Sequence, residues 1–198
     1  MLDTISTGFD DPVLASQAHF RALMDALARP GSLQPFAAEM VPPAGLSREL
    51  AAIALTLADH ETLVWLDAAL AAEPAVAAWL AFHTGARVTA DPAEAAFAFV
   101  SDFAALPPLG DFAAGDDAYP DRSTTIAIAV TELAERGALA LAGPGIDGER
   151  RLGVASWPVG LTEALAANRA LFPRGVDLVL AAPGHIAALP RTTRIREV

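Results

Sequence analysis

Arginine is the residue in this chain best suited to holding an anion, because all 13 of its Lys and Arg residues are arginine. A guanidinium grips phosphates and carboxylates through a planar fork of N–H groups. Without lysine, no side-chain amine can form a Schiff base with pyridoxal phosphate or with a carbonyl substrate. The chain also lacks cysteine, so thiolate attack, iron–sulfur clusters and cysteine zinc sites are excluded. Carboxylates, histidines, hydroxyls and backbone amides remain beside the arginines.

Three arginines stand at informative positions. Arg21 follows Phe20 on an amphipathic segment, Arg29 ends that segment, and Arg191 comes after the last predicted strand. Solvation at the surface explains most arginines individually, but Arg21 and Arg191 interrupt segments that are otherwise apolar or turn-forming. We therefore predict that Arg21, Arg29 and Arg191 contact an anionic substrate.

A glycine-containing loop, Gly143-Pro144-Gly145-Ile146, follows a predicted strand. Such a loop can present backbone amides to an anion, although a plain tight turn explains these residues better on their own. It is not a phosphate-binding P-loop, because the GxxxxGK[ST] pattern is absent. Gly143, Gly145 and His83 complete the predicted substrate contacts, with helix capping an equally good explanation for His83.

No catalytic residue, cofactor site or metal site is assigned from the sequence. The four histidines form neither HxxxH nor HExxH, so a zinc-binding helix is not indicated. The GxGxxG and GxSxG patterns are also absent, which removes the usual signals of a dinucleotide site and of a serine hydrolase.

Helices and strands must position these residues. The two types alternate in the first half of the chain, and strands follow one another in the second half. Capping residues, prolines and apolar periodicity predict helices that start at Asp11-Pro12, Ser47, Pro74 and Pro158 and end near Arg29, Asp59, Phe82 and Phe172. Strands are predicted over 62–66, 86–89, 97–100, 124–131, 138–142, 176–182 and 185–189, the last two as a hairpin. An acidic turn ending at Gly137 is expected before strand 138–142. Residues 101–123 read as a long loop.

This order predicts an α/β fold, a layered sandwich with a mixed β-sheet. The length of 198 residues and the lack of repeats or a linker predict a single domain over 1–198.

Composition limits the partners. The net charge of −11 argues against nucleic acid, because binding to it depends on a basic face. The longest apolar region, residues 63–82, contains Asp67, Glu73 and Pro74 and is not expected to span a membrane. The N-terminus carries no secretory pattern, so a cytoplasmic location is expected.

Several segments together resemble one known family over nearly the whole chain. They are Phe20-Arg21 with Met24, Arg29-Pro30-Gly31, Leu55-Thr56-Leu57-Ala58-Asp59, Val64-Trp65-Leu66, Phe82-His83-Thr84, Gly143-Pro144-Gly145-Ile146, Phe172-Pro173-Arg174-Gly175-Val176-Asp177-Leu178 and Pro190-Arg191-Thr192-Thr193. No single segment is specific, but their order and spacing resemble the PhnH family, the H subunit of the carbon–phosphorus lyase machinery of phosphonate metabolism. The stretch from Leu106 to Ser123 matches least, and no functional residue is assigned there.

The resemblance implies a fold like the large domain of pyridoxal-phosphate-dependent transferases, in a form without the cofactor. It also implies a homodimer that joins the G, I and J subunits in a core complex. The associated reaction displaces adenine from ATP by methylphosphonate and forms α-D-ribose 1-methylphosphonate 5-triphosphate. Family resemblance by itself does not assign that chemistry to this subunit.

Three hypotheses of function follow. In the favoured one, the chain is mainly a structural and assembly subunit of the complex and is not catalytic alone. In the alternative, it binds the nucleotide or phosphonate directly, in a cleft where Arg21, His83 and Arg191 meet. The third is a free-standing binding protein unrelated to phosphonates.

Overall fold

The computed structural model describes residues 6–198. Its helices are α1 (Pro12–Ala28), α2 (Arg48–Leu57), α3 (Ala68–Ala71), α4 (Pro74–Thr84) and α5 (Leu161–Ala170). Its strands are β1 (Gln34–Pro35), β2 (Leu63–Leu66), β3 (Arg87–Thr89), β4 (Phe97–Val100), β5 (Thr125–Ala129), β6 (Leu133–Ala142), β7 (Arg150–Val154), β8 (Asp177–Ala182), β9 (His185–Leu189) and β10 (Arg194–Glu197).

Seven strands form a mixed sheet in the order β1-β9-β8-β5-β4-β2-β3. Strands β2, β3, β4, β5 and β8 run parallel, while β9 and β1 join antiparallel at one edge. The α/β fold with a mixed sheet is therefore confirmed. The predicted hairpin is confirmed as well, with Ala182 opposite His185 across Pro183-Gly184.

Each face of this sheet carries its own core. Helices α1, α2 and α4 cover one face, where Leu50 and Trp79 are among the fully buried side chains. The other face packs against α5 and a second sheet of three strands, in the order β10-β6-β7. Burying apolar side chains on both faces explains why the central strands are continuous apolar runs rather than alternating ones.

The predicted helix starts are confirmed where a polar side chain caps the first turn. Asp11 accepts a hydrogen bond from the Leu14 amide before α1, and Ser47 accepts one from the Leu50 amide before α2. α4 ends at Gly85, whose φ of 75° is a left-handed conformation that glycine adopts without steric cost. α5 begins three residues later than predicted, at Leu161, because the left-handed Gly160 is its N-cap residue.

The predicted acidic turn before residue 138 is wrong. Strand β6 already starts at Leu133, and its ladder to β7 shifts register between Ala134 and Leu139. Strands β5 and β6 also belong to different sheets. Gly137 permits this path, because a Cβ there would lie 2.2 Å from the Gly153 Cα of the neighbouring strand.

The second sheet contains two strands that the sequence did not predict, β7 and β10. Both are rich in arginine, and their charged side chains at Arg151, Arg194 and Arg196 are exposed. An exposed edge of this kind lacks the apolar alternation by which strands are recognised.

Within residues 6–198, no helix combines the length and apolar character that crossing a bilayer requires.

Candidate functional site

Arg191, one of the predicted anion contacts, is held inside the protein. Its Nε and Nη2 donate to the Asp177 carboxylate, Nη1 donates to the carbonyls of Pro120 and Pro173, and Nη2 also donates to the Ser123 hydroxyl. Those five hydrogen bonds use every N–H that a guanidinium carries. Its side chain is only 12% exposed. This geometry favours an internal tie over an anion clamp for Arg191.

The same tie explains two of the segments that resemble the family. Asp177 lies in the 172–178 segment, and it also accepts a hydrogen bond from the Arg191 backbone amide at 2.7 Å. One residue earlier, Val176 exchanges two hydrogen bonds with the side chain of Asn168 on α5. A Cβ on Gly175 would lie 2.7 Å from the Asn168 Oδ1, so only glycine fits there. The segment therefore fixes the end of α5 to the start of β8.

Arg29 and the glycine loop come together at the end of α1. The Arg150 guanidinium donates to the carbonyls of Arg29 and Pro30 at 3.0 and 2.8 Å. A Cβ on Gly145 would lie 2.1 Å from the Ala28 carbonyl oxygen, so this loop packs directly on the helix end. The Arg29 side chain points elsewhere, to an exposed ion pair with Asp25 at 2.9 Å.

Gly143 touches a different neighbour, the segment after Arg191. A Cβ on Gly143 would lie 3.1 Å from the Thr192 carbonyl oxygen. Gly143 and Gly145 thus let one loop approach two backbones closely. As ligands for an anion, both glycines stay predictions.

His83 and Arg21 lie on the helical face of the sheet. The His83 Nε2 lies 3.0 Å from the Ser6 carbonyl oxygen, and the ring stacks obliquely on Trp79. This contact ties residue 6 to the end of α4. Arg21 is on the exposed side of α1, and within residues 6–198 its guanidinium has no hydrogen-bonding or ionic partner.

The structure does not bring Arg21, His83 and Arg191 around one cleft. His83 lies on α4, which packs beside β3, whereas Arg191 is bonded to the first residue of β8. Strands β5, β4 and β2 stand between β8 and β3. At the usual spacing of strands this separation is about 19 Å. An arginine-lined cleft of the predicted composition is therefore not present in the described part of the chain.

A hollow of about 560 Å³ opens at the carboxyl ends of the parallel strands β4 and β5. We call it the strand-end hollow. It is lined by Ser101, Asp102, Phe103, Ala104, Ala129, Val130, Thr131, Ala155, Ser156 and Pro158. Ligands of open α/β sheets commonly bind at this edge, so the strand-end hollow is the candidate functional site.

A buried carboxylate holds one residue of this lining in place. Asp67, fully buried directly after β2, accepts hydrogen bonds from the backbone amide and the hydroxyl of Ser101 at 2.5 and 2.6 Å. Its other oxygen accepts from the Leu70 amide at 2.8 Å. Asp67 therefore fixes the position of Ser101, directly after β4. Asp102, the next residue in the chain, accepts a hydrogen bond from the Ala104 amide and so caps a 3₁₀ turn.

The lining of the strand-end hollow also contains a backbone outlier. Ser156 has a φ of 58°, the one positive φ among non-glycine residues in the described range. Such conformations concentrate at turns and at functional positions. Next to it, Trp157 packs edge-on against Phe103 with ring centres 5.7 Å apart, and Phe103 provides the aromatic part of the lining.

The residues of the strand-end hollow suit the binding of a neutral polar molecule. Hydroxyls, one carboxylate and apolar carbon line it, and neither arginine nor histidine does. A sugar or a nucleobase would find hydrogen-bond acceptors and a flat apolar wall, but a polyphosphate would find no cation. The Ser101 hydroxyl donates to the Asp67 carboxylate, but that carboxylate is fully buried and also accepts hydrogen bonds from the Ser101 and Leu70 amides. Among residues 6–198, no group of three or more potential metal ligands converges.

Sequence reasoning missed the residues that line this hollow. Their one signal was position, because Ser101 and Asp102 follow β4 directly and Thr131 follows β5 closely. Polar residues at the carboxyl ends of neighbouring parallel strands meet at one edge. Using that rule required the order of the strands in the sheet, which the sequence did not provide.

Comparison with known proteins decides the family. Residues 7–196 match the family described as bacterial phosphonate metabolism protein (PhnH). The chain belongs to the PhnH family.

Two relatives extend this result. The chain is 46% identical to a protein of Rhizobium meliloti (strain 1021) named alpha-D-ribose 1-methylphosphonate 5-triphosphate synthase subunit PhnH, over 96% of this chain and 94% of the relative. It is 31% identical to a Stutzerimonas stutzeri protein named putative C-P lyase subunit protein HtxG, over 90% of this chain and 85% of the relative. The family resemblance inferred from the PhnH-like segments is thus confirmed.

Proposed function

We propose that this chain is a subunit of a carbon–phosphorus lyase complex in organic phosphonate catabolism. In that role it supports formation of α-D-ribose 1-methylphosphonate 5-triphosphate from ATP and methylphosphonate, mainly through assembly. The observation that carries the proposal is the relative 46% identical over 96% of the chain, which is named as a subunit of that synthase. A cytoplasmic location and a homodimer joined to the G, I and J subunits belong to the same proposal.

The contacts of Arg191 and Arg29 support assembly over catalysis. Arg191 has no N–H left for a substrate, and the Arg29 side chain is paired with Asp25. A chain without lysine or cysteine also offers no covalent nucleophile of either type. These features favour a role in contacts between subunits over a role in covalent catalysis.

Helix α1 carries the apolar surface that fits this role. Val13, Phe20 and Met24 are 65%, 50% and 48% exposed, and their spacing places them on one side of the helix together with Arg21. Contiguous exposed apolar side chains with a polar rim are typical of protein contacts. We propose that this face of α1 contacts another subunit.

Reconstitution tests the proposal. Phosphonate-dependent release of adenine from ATP should require this chain in addition to the other subunits. The double variant Phe20→Ser/Met24→Ser should lose co-purification with them while keeping the circular dichroism of the unchanged protein. A control, Val159→Ser/Leu171→Ser, replaces exposed apolar residues elsewhere and should co-purify normally. Adenine release that is equally fast without this chain would overturn the proposal.

A second candidate, direct nucleotide binding, is favoured by the strand-end hollow. Its Asp102 carboxylate and Thr131 hydroxyl could hold ribose hydroxyls beside the Phe103 ring. Isolated protein should then bind ATP and adenosine with similar affinity, because no cation lines the hollow. Asp102→Asn should weaken both. Absence of adenosine binding would eliminate this candidate and leave the assembly role intact.

The finer origin of the fold is also proposed from the resemblance. We infer that the mixed sheet, with helices on both faces, derives from the large domain of pyridoxal-phosphate-dependent transferases. The seven-strand mixed sheet is compatible with that origin. The lysine that would bind the cofactor aldehyde is missing from the sequence.

A further inference from the structure

A second hollow, of about 320 Å³, opens between the last turn of α5 and the outer face of β6 and β10. We call it the basic hollow. It is lined by Ala140, Ala142, Glu149, Ala166, Arg169, Thr193, Arg194, Ile195 and Arg196. None of the three arginines that the sequence predicts to contact an anion lines this hollow.

Strand geometry explains why cations meet over a shallow floor. Arg194 pairs with Ala142 and Arg196 with Ala140, so both arginines share one face of the sheet with two small side chains. Arg169, in the last turn of α5, borders the same space. The small alanine side chains leave space over the sheet, and the longer arginine side chains surround that space.

Two of these guanidiniums have free donors. Within residues 6–198, neither Arg169 nor Arg194 takes part in an ion pair. In a chain of net charge −11, carboxylates are available to neutralise most arginines. Gathering three arginines around one hollow and leaving two unpaired produces a local positive field on an acidic protein.

A buried hydroxyl provides a separate indication of a ligand. Thr193 is only 4% exposed and lines the basic hollow, and its Oγ1 finds no hydrogen-bond partner in the described chain. A buried polar atom without a partner is costly, so such atoms in native proteins call for an explanation. The Oγ1 has almost no accessible surface, so it would donate to an anion in the hollow only after the Thr193 side chain rotates about χ1.

Glu149 is the one acidic residue in the lining. Its carboxylate bonds to Arg196 at 2.5 Å and to Arg151 at 3.1 Å. The Arg196 hydrogen bond and charge, followed by those of Arg151, lower the pKa of Glu149 below its ordinary value. Glu149 therefore stays charged at neutral pH and competes with any incoming anion for Arg196.

We propose that the basic hollow binds a phosphate or phosphonate oxyanion through Arg169, Arg194 and Thr193, with Arg196 shared between the ligand and Glu149. A doubly charged oxyanion accepts several forked hydrogen bonds from guanidinium groups, which a carboxylate or chloride matches less well. The volume leaves space for a small organic group attached to the oxyanion. The site belongs to the isolated chain and does not depend on the assembly role.

Calorimetric titration of the purified chain at constant ionic strength tests the site. The probes are inorganic phosphate, methylphosphonate, ribose 5-phosphate and ATP, and the tightest of them identifies the source of the oxyanion. The double variant Arg169→Ala/Arg194→Ala should weaken binding by about tenfold or more, because it removes charge-assisted hydrogen bonds. Arg87→Ala, an exposed arginine on β3, is the matched control and should bind as the unchanged protein does.

Two further variants separate a site from general attraction. Glu149→Gln should tighten binding severalfold, because it releases Arg196. Thr193→Val should weaken binding and should not lower the melting temperature of the unbound protein, since it removes an unpartnered hydroxyl. The proposal is overturned if none of the four probes binds saturably, or if the double variant binds them as tightly as Arg87→Ala does.

Discussion

Arg191 and the arginines of the basic hollow share a residue type and differ in what surrounds them. Two carbonyls, a hydroxyl and a carboxylate converge on Arg191 and use each of its donors. Arg169 and Arg194 stand over alanines, with no carboxylate paired to them in the described chain. The first arrangement stabilises the fold. The second leaves the guanidinium N–H groups of Arg169 and Arg194 free to donate to a ligand.

The difference shows why an arginine next to a family-like motif is a poor guide to substrate binding. Arg191 belongs to such a motif because it joins the 190–193 segment to Asp177. A guanidinium that holds backbone carbonyls in place cannot be replaced by lysine without losing its fork of donors. The presence of Arg191 in this segment therefore has a structural explanation that needs no ligand.

The largest expected effect comes from breaking the Arg191 tie. Arg191→Ala should lower the free energy of unfolding by about 3 kcal/mol, because it leaves the half-buried Asp177 carboxylate without its cation. Urea unfolding followed by circular dichroism measures this. Arg196→Ala removes the ion pair with Glu149, in which the arginine side chain is 62% exposed. This variant should lower the free energy of unfolding by less than about 1 kcal/mol. Equal losses for the two variants would mean that Arg191 stabilises the fold no more than an exposed arginine does.

A smaller effect is expected where the glycine loop meets α1. Gly145→Ala should destabilise the protein by about 2 kcal/mol, because its Cβ would lie 2.1 Å from the Ala28 carbonyl oxygen at a φ of 79°. Gly148→Ala has a similar φ of 69° and open space around it, so it should cost only about 1 kcal/mol. Thermal unfolding of both variants separates crowding from backbone strain. If Gly145→Ala loses no more than its control, the loop does not pack on the helix end.

The smallest effect is a pH dependence in the basic hollow. The folded protein lowers the pKa of Glu149, so the Glu149 charge stabilises the fold above the ordinary value of 4.5. This contribution is lost as the pH falls through the lower folded pKa. The difference in melting temperature between the unchanged protein and Glu149→Gln should therefore shrink as the pH falls below about 4.5. A difference that stays constant from neutral to acidic pH would mean that the Arg196 pair does not form in solution.

Much of the fold was predictable because its signals are local. Asp11, Ser47 and Pro74 mark helix starts through capping and a fixed φ, and β4 and β8 are recognised as apolar runs. The strands β7 and β10 were missed because arginine-rich edges carry no apolar alternation. The charges of residues 132–137 favour a turn in solvent, yet residues 133–137 belong to β6.

The amino-acid sequence by itself determined the family, the α/β class and the chemistry this chain lacks, since these depend on residue types and their order. Only the tertiary structure decided which arginines are occupied and which are open. The partners of Arg191 lie 14 to 71 residues away in the chain, and the lining of the basic hollow comes from three separate elements. A side chain's availability for a ligand depends on the groups that packing brings within hydrogen-bond distance, and distance in space is not recorded in the spacing of residues.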